Sequence, residues 1–432
     1  MNILSNNFLV YGLGQSGKSA ISFLLSRGAQ NVYTYDDEHN VHIKDTITLE
    51  TLQDIEKYDI TCAILSPGVP ILGNENIQFL VQKGIDFISE FDLGFMYSYG
   101  KKICITGTNG KTTTVNLLYN ILKQKYKNVF LCGNTDTPIT KIANLTTPDS
   151  IIICEVSSFA LETAKSIKPN IASILNISPD HITRHGTFEN YKMVKKKIAS
   201  LMDGNDYFVC NENFNIVTNA NVVTYAIGEK TNGAYVYNNF ICYGNKKIVN
   251  TKYIKLLGEK NLENTLCAVT IAKLLKVKNA KIKKVVKNFP GLKHRLETVL
   301  IKNNIKYIDD SKATNPDSTI GALDSITDET ILLLGGSDKG YDYDRIFEHI
   351  QHTKMILTFG EMGEKIKKCA LKNNFTEILS FKKMYDAVIH AISIARSGDV
   401  VLLSPACASY DEFKSYAERG DEFAKIVKEF ED

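Results

Sequence analysis

One pattern recurs along this sequence and restricts what it can fold into: a short apolar run, an amphipathic stretch, then another short apolar run. It starts with Phe8-Leu9-Val10-Tyr11, passes through Ile21, Leu24 and Leu25 at helical spacing, and reaches Val32-Tyr33-Thr34-Tyr35. A strand covered on both faces reads as a continuous apolar run, and a helix between two such strands makes them parallel. The cadence returns in a second block through Ile103-Cys104-Ile105, Val129-Phe130-Leu131, Ile151-Ile152-Ile153 and residues 171–175, and in a third through residues 305–308, 331–334, 355–357 and 400–403. The expected class is therefore α/β, with three domains in series. At roughly 100 to 200 residues per domain, a chain of 432 residues has room for them.

The stretch 222–257 breaks the cadence with short Val, Tyr and Ile runs separated by Asn232-Gly233 and Gly244-Asn245, which are hairpin signals. A small antiparallel sheet is expected there, appended to the parallel sheet of the second block. Turn and linker residues place the boundaries near 93 and 290, giving domains 1–93, 94–290 and 291–432, the first and last Rossmann-like.

Composition excludes several classes. Lys and Arg total 51 against 48 Asp and Glu, a net +3, which is too balanced for a chain that holds nucleic acid by bulk charge. Lysine runs such as Lys283-Lys284 and Lys195-Lys196-Lys197 read as solvated faces. The nine Cys residues are scattered, with no C-x-x-C and no zinc spacing, which suggests a reducing cytosol. No apolar run is long enough to cross a bilayer, and Met1-Asn2-Ile3-Leu4-Ser5-Asn6 lacks the features of a signal peptide, so membrane insertion is not expected.

Two glycine loops carry the chemistry. Gly12-Leu13-Gly14-Gln15-Ser16-Gly17 follows the first strand and opens the first helix, with Asp36-Asp37 about twenty residues on. Backbone amides and a helix dipole at such a turn suit a phosphate, so a nicotinamide, a flavin or any nucleotide diphosphate fits, as does a tight turn with no ligand. Ile103-Cys104-Ile105-Thr106-Gly107-Thr108-Asn109-Gly110-Lys111-Thr112-Thr113 is more specific. It supplies amides for phosphates, a Lys for the β and γ phosphates, and a hydroxyl for Mg²⁺, so the central domain reads as a P-loop-type ATPase domain. Ile105 stands where a strict Walker loop has Gly, so the loop must fold differently from that of GTPases. Glu155, at the end of the next apolar run, is placed to hold Mg²⁺ or order water, or simply to start a helix.

The motifs 107–112, Glu155-Val156-Ser157-Ser158-Phe159, 176–181 and His294-Arg295 together resemble the Mur ligases, ATP-dependent amide ligases of peptidoglycan precursor synthesis. Gly291-Leu292-Lys293-His294-Arg295-Leu296-Glu297, Asp310-Ser311-Lys312-Ala313-Thr314-Asn315, residues 335–340 and residues 403–421 resemble the D-glutamate-adding branch. The resemblance implies that UDP-N-acetylmuramoyl-L-alanine, not a nicotinamide, sits on the first loop, at Gly14, Gln15, Ser16, Asp36, Ser66, Pro67 and Gly68, with Asn134 facing its carboxylate. It assigns ATP to Gly107, Thr108, Asn109, Gly110, Lys111, Thr112, Thr113, Asn261, Asn264, His294, Arg295 and Asp310. D-Glutamate falls to Thr314, Lys339, Ser409 and Tyr416. Lys111, Glu155, His181 and Lys195 are the implied catalytic group. Two Mg²⁺ sites are implied at Thr112, Glu155, His181 and Lys195, the last as a carbamate formed with CO₂. The residues alone do not separate Lys195 from Lys196 and Lys197. An acyl-phosphate mechanism releasing ADP and phosphate, a monomer and a cytoplasmic setting complete what the resemblance implies. Thr183, Lys260, the run Gly133-Asn134-Thr135-Asp136 and Tyr416 depart from the commonest residues of that family.

Overall fold

A computed structural model describes residues 6–37, 41–338 and 340–430. The described residues form three sheets. The first holds β1 (Asn7–Tyr11), β2 (Asn31–Tyr35), β3 (Ile47–Thr48), β4 (Cys62–Leu65) and β5 (Asp86–Ser89), all parallel in the order β3-β2-β1-β4-β5. Central β1 is covered on both faces, which is why Phe8, Leu9, Val10 and Tyr11 are all buried. The helix Gln15–Ser26 lays Ala20, Ile21, Phe23 and Leu24 against one face, where they join Phe8, Val10 and Ile64. The chain leaves β1 for β2 on one side and later returns to β4 on the other. The strand order therefore reverses between β1 and β4, and a crevice opens at their carboxyl ends.

The second sheet contains β6 (Lys101–Thr106), β7 (Val129–Gly133), β8 (Ile151–Glu155), β9 (Ile171–Ile174), β10 (Tyr207–Asn211), β11 (Asn221–Ile227), β12 (Ala234–Tyr237), β13 (Phe240–Tyr243) and β14 (Lys246–Asn250). Its order is β14-β13-β12-β11-β10-β9-β6-β8-β7. Pairing is parallel from β7 to β12 and antiparallel only through β13 and β14. Gly244-Asn245 makes the expected two-residue hairpin between Tyr243 and Lys246. Asn232-Gly233 does not make a hairpin. Asn232 Oδ1 accepts from Thr224 N–H at 2.7 Å and Gly233 N–H donates to Thr224 O at 2.9 Å, so the chain doubles back and enters β12 parallel to β11. The hairpin forms instead at Asn238-Asn239, both at positive φ, a pairing that the twist of a two-residue turn favours.

The third sheet holds β15 (Glu297–Lys302), β16 (Ile305–Asp309), β17 (Thr330–Gly335), β18 (Thr353–Phe359), β19 (Ile378–Ser380) and β20 (Val400–Ala406) in the order β15-β16-β20-β17-β18-β19. Only edge strand β15 is antiparallel. Apolar clusters cover both faces, with Leu332 and Leu402 on one and Leu333 and Leu403 on the other. The chain groups into two compact units, residues 1–251 with 263–286, and residues 252–262 with 287–432. The first two sheets thus share a unit, and the helix Glu90–Tyr97 that joins them packs on the helix Ile139–Ala143. No helix among the described residues is long and apolar enough to cross a membrane.

Candidate active site

The loop after β6 is built by backbone geometry. Gly107 (φ 158°) and Gly110 (φ 83°) turn the chain, and Gly110 caps the helix Lys111–Leu122 from a left-handed conformation that a side chain would strain. A Cβ on Gly110 would also lie 2.3 Å from Asn264 Oδ1, so the buried Asn264 amide packs directly on the loop. The segment after β9 braces it. Thr108 N–H donates to Asn176 O at 3.0 Å, Asn109 N–H donates to Asn176 Oδ1 at 2.9 Å, and Asn176 Nδ2 donates back to Asn109 O at 3.1 Å. Thr108 Oγ1 meets Tyr191 Oη at 3.1 Å and accepts from Ser178 N–H at 3.0 Å. Lys111 Nζ folds back onto Gly107 O at 2.7 Å and Thr108 O at 2.8 Å. Thr112 and Thr113 occupy the first turn of the same helix.

Glu155 ends β8 and is buried. Asn134 Nδ2 donates to its Oε1 at 3.1 Å, while its Oε2 is buried with no hydrogen-bond partner among the described residues. A buried carboxylate oxygen left unpaired is costly, and a cation would satisfy it. Gly133 lets these strands approach: a Cβ there would stand 2.2 Å from Glu155 O. His181 holds a left-handed backbone (φ 53°) before the short helix Ile182–His185, its ring edge-on to Phe159 at 4.8 Å. Its Nε2 lies 3.6 Å from Asp180 Oδ2. That conformation costs a non-glycine residue about 1–3 kcal/mol, and such strain concentrates at functional sites.

The solvated-face reading of the run Lys195-Lys196-Lys197 holds for the last two and fails for Lys195, which burial sets apart. It is 1 % exposed on the helix Phe188–Lys196, whereas Lys196 and Lys197 are exposed. Its Nζ donates to Gly107 O at 2.9 Å and lies 4.8 Å from the Tyr191 ring centre. Burial, with the Lys111 charge adding to it, holds its ammonium well below the usual lysine range. Lys111 and Lys195 thus share one carbonyl, Gly107 O, at the phosphate loop.

At the first crevice, Leu13 N–H donates to Asp36 Oδ2 at 2.6 Å, and Ser66 Oγ donates to Gly12 O at 2.6 Å. Gly14, Gln15 and Gly68 are exposed there, Ser16 and Pro67 half-buried. Gln15 Nε2 donates to Asp136 O at 2.7 Å, two residues beyond Asn134. Two contacts were not anticipated from the sequence. Arg184 donates to the carbonyls of Pro67, Gly68 and Val69. Buried Glu90 Oε1 accepts from both Thr140 N–H and Thr140 Oγ1, and Thr140 Oγ1 lies 2.7 Å from Ser19 Oγ. Neither residue sits in a glycine loop or follows a metal-ligand spacing, so the one signal was the Arg184-His185 pair beside the His181 motif.

In the second unit, His294 Nδ1 lies 2.6 Å from Asp309 Oδ2, and that bond raises the imidazole above its ordinary pKa. His294 (φ 61°) and Leu296 (φ 47°) are both left-handed, and Arg295 lies between them. Burial pushes Asp310 up to about 7; Ser404 Oγ at 2.8 Å and Leu296 N–H at 3.2 Å donate to it. Asn261 Nδ2 donates to Leu257 O at 2.8 Å. Thr314 N–H donates to Lys312 O, and the Lys312 ammonium lies 3.5 Å from the Tyr416 ring centre. Ser409 is buried and its carbonyl accepts from Phe413 N–H at 2.8 Å. Arg419, fully buried, donates to Ser311, Cys407 and Ala408 and so ties the strand ends that carry these residues. Lys339 lies outside the described residues.

Residues 105–272 match the family model for the Mur ligase middle domain, and residues 294–407 match that for the Mur ligase, glutamate ligase domain. A protein of Caldanaerobacter subterraneus named UDP-N-acetylmuramoylalanine–D-glutamate ligase is 35% identical over 449 residues, covering 99% of both chains. The chain belongs to the Mur ligase family, in its D-glutamate ligase branch. A protein of the same name from Alkaliphilus metalliredigens is 36% identical over 453 residues, again across 99% of each. Among solved structures, a pseudomurein peptide ligase type C from Methanothermus fervidus aligns with a TM-score of 0.64 at 19% identity, covering 99% of this chain and 100% of its own. A MurF ligase from Thermotoga maritima in complex with ADP aligns at 0.63 and 16% identity, with full coverage of both. Both share the Mur ligase fold.

Proposed function

We propose that this Mur ligase joins D-glutamate to UDP-N-acetylmuramoyl-L-alanine, with ATP converted to ADP and phosphate, in the cytoplasm and as a monomer. The observation that carries the reading is the convergence of Lys111, Lys195, the unpaired Glu155 Oε2 and Asn134 around one glycine loop, in a chain whose relatives over nearly their whole length carry that name. We assign the uridylated substrate to residues 1–93, ATP to 94–290 and D-glutamate to 291–432, the last through Thr314, Lys339, Ser409 and Tyr416.

The alanyl carboxylate attacks the γ-phosphorus of ATP, the bond to the β–γ bridging oxygen breaks, and ADP leaves behind an acyl phosphate. The amine of D-glutamate then attacks the acyl carbon and phosphate departs. The first step brings two anions together, so positioning and charge neutralisation are what the protein must supply. Lys111, which folds onto the loop carbonyls here, is long enough to turn its ammonium onto the phosphates. Asn134, whose amide donates to Glu155 Oε1, is assigned to the substrate carboxylate. The His181 imidazole, when it carries a single ring proton, offers the lone pair of its other nitrogen.

Mg²⁺ fits this edge because Glu155 Oε2 is buried and unsatisfied; Thr112, Glu155, His181 and Lys195 are the residues that would hold two ions, which would offset the charge of the phosphates. A carbamate on Lys195 fits as well. Carbamylation needs a neutral amine, and burial beside Lys111 supplies one nearer neutral pH than an exposed lysine does. The reading is tested by phosphate release from ATP with UDP-N-acetylmuramoyl-L-alanine. Release that requires D-glutamate, and is not supported by L-glutamate, L-alanine or L-lysine, is expected; release indifferent to the amino acid would overturn it.

A further inference from the structure

Arg184 starts from the short helix Ile182–His185, beside the second sheet, and ends on the turn at the crevice of the first. Its Nη1 donates to Gly68 O at 3.0 Å, and its Nη2 donates to Val69 O at 2.5 Å and Pro67 O at 3.3 Å. Its Nε and Nη2 also meet Glu162 Oε2 at 3.0 and 2.7 Å, and the guanidinium lies over the Phe159 ring at 4.7 Å. Phe159 in turn packs against His181. Three consecutive carbonyls and one carboxylate thus converge on one planar cation. Guanidinium, with several donors in a fixed fork, meets that demand; the single ammonium of lysine does not. The turn is held from its other side by Ser66 Oγ on Gly12 O, so the turn and glycine loop form one piece.

We propose that Arg184 is a positioning residue that fixes the uridylated substrate's crevice to the phosphate-activating edge, and so sets the distance from the substrate carboxylate to the γ-phosphate. The proposal rests on the reading that this crevice takes the uridylated substrate. Misplacement by about 1 Å can cost on the order of a hundredfold in rate, and the hydrogen bonds of the guanidinium go to Pro67, Gly68, Val69 and Glu162 rather than to the phosphate loop.

The test is steady-state kinetics of wild type, Arg184→Ala, and Arg184→Ala combined with Glu162→Gln, each with thermal melting and with millimolar guanidinium added. Expected for Arg184→Ala is a rise of roughly tenfold or more in KM for UDP-N-acetylmuramoyl-L-alanine together with a lower kcat. The KM for ATP should stay within about twofold, and guanidinium should restore part of the loss. The double variant, which removes the stranded carboxylate, should remain impaired. An unchanged KM for the uridylated substrate, or full recovery in the double variant, would overturn the proposal. Absence of D-glutamate-dependent turnover in wild type would instead strike the underlying functional reading.

Discussion

Lys195 shows how one side chain's chemistry is set by its surroundings. Three successive lysines look alike in the sequence, yet only Lys195 is buried, because the helical turn points it at Gly107 while Lys196 and Lys197 face water. Lys195→Ala should lose most ligase activity and regain some with added short carboxylic acids, while Lys197→Ala should behave as wild type. Equal losses in phosphate release would show that burial is not what distinguishes them. Glu90 gives a second residue-scale prediction. Burial pushes it up to about 7, against a lowering effect of the two Thr140 bonds. The folded chain keeps this proton to about pH 7, while an unfolded chain releases it near the ordinary value of 4.5. Between those values the folded state binds more protons, so stability from this group is full below about pH 4.5 and falls as pH rises to about 7. Glu90→Gln keeps an acceptor for Thr140 and removes the titration. Its denaturant midpoint should therefore decline less between pH 5 and pH 7.5 than that of wild type, the remaining slope including Asp310.

At the scale of an element, the first glycine loop was legible as a phosphate turn but not as a choice of ligand, since the spacing of its glycines suits any diphosphate. Packing separates their roles. A Cβ on Gly17 would lie 1.9 Å from Gly12 O, so the helix Gln15–Ser26 can start where it does only with glycine there. A Cβ on Gly14 meets nothing within 4 Å among the described residues. Gly17→Ala should destabilise the fold, by about 1–3 kcal/mol in denaturant titration. Gly14→Ala should melt like wild type yet bind the uridylated substrate more weakly, because the open space above it is where a diphosphate would lie. Intact affinity in Gly14→Ala, measured by calorimetry, would place the diphosphate elsewhere.

At the scale of the molecule, the substrates are assigned to different sheets, so removing one requirement should leave another untouched. Chelating divalent cations should abolish phosphate release while calorimetric binding of UDP-N-acetylmuramoyl-L-alanine persists within a few-fold. Loss of both would place the cation at the uridylated substrate's crevice. The near-neutral balance of 51 basic against 48 acidic residues accords with this arrangement. Loop amides, a buried lysine and an ion can carry local charge that a basic surface would otherwise have to provide.

Apolar periodicity and loop motifs by themselves determined the α/β class, the three runs of parallel strands and the stations of Lys111, Glu155 and His181, because these follow from local spacing along the chain. Tertiary structure decided what depends on residues distant in sequence. It distinguished Lys195 from Lys196 and Lys197, turned Asn232-Gly233 into a parallel return and left Glu155 Oε2 without a hydrogen-bond partner among the described residues. It also carried Arg184 across to carbonyls more than a hundred residues away. Burial and hydrogen bonding are properties of a packed neighbourhood, and no window of sequence contains that neighbourhood.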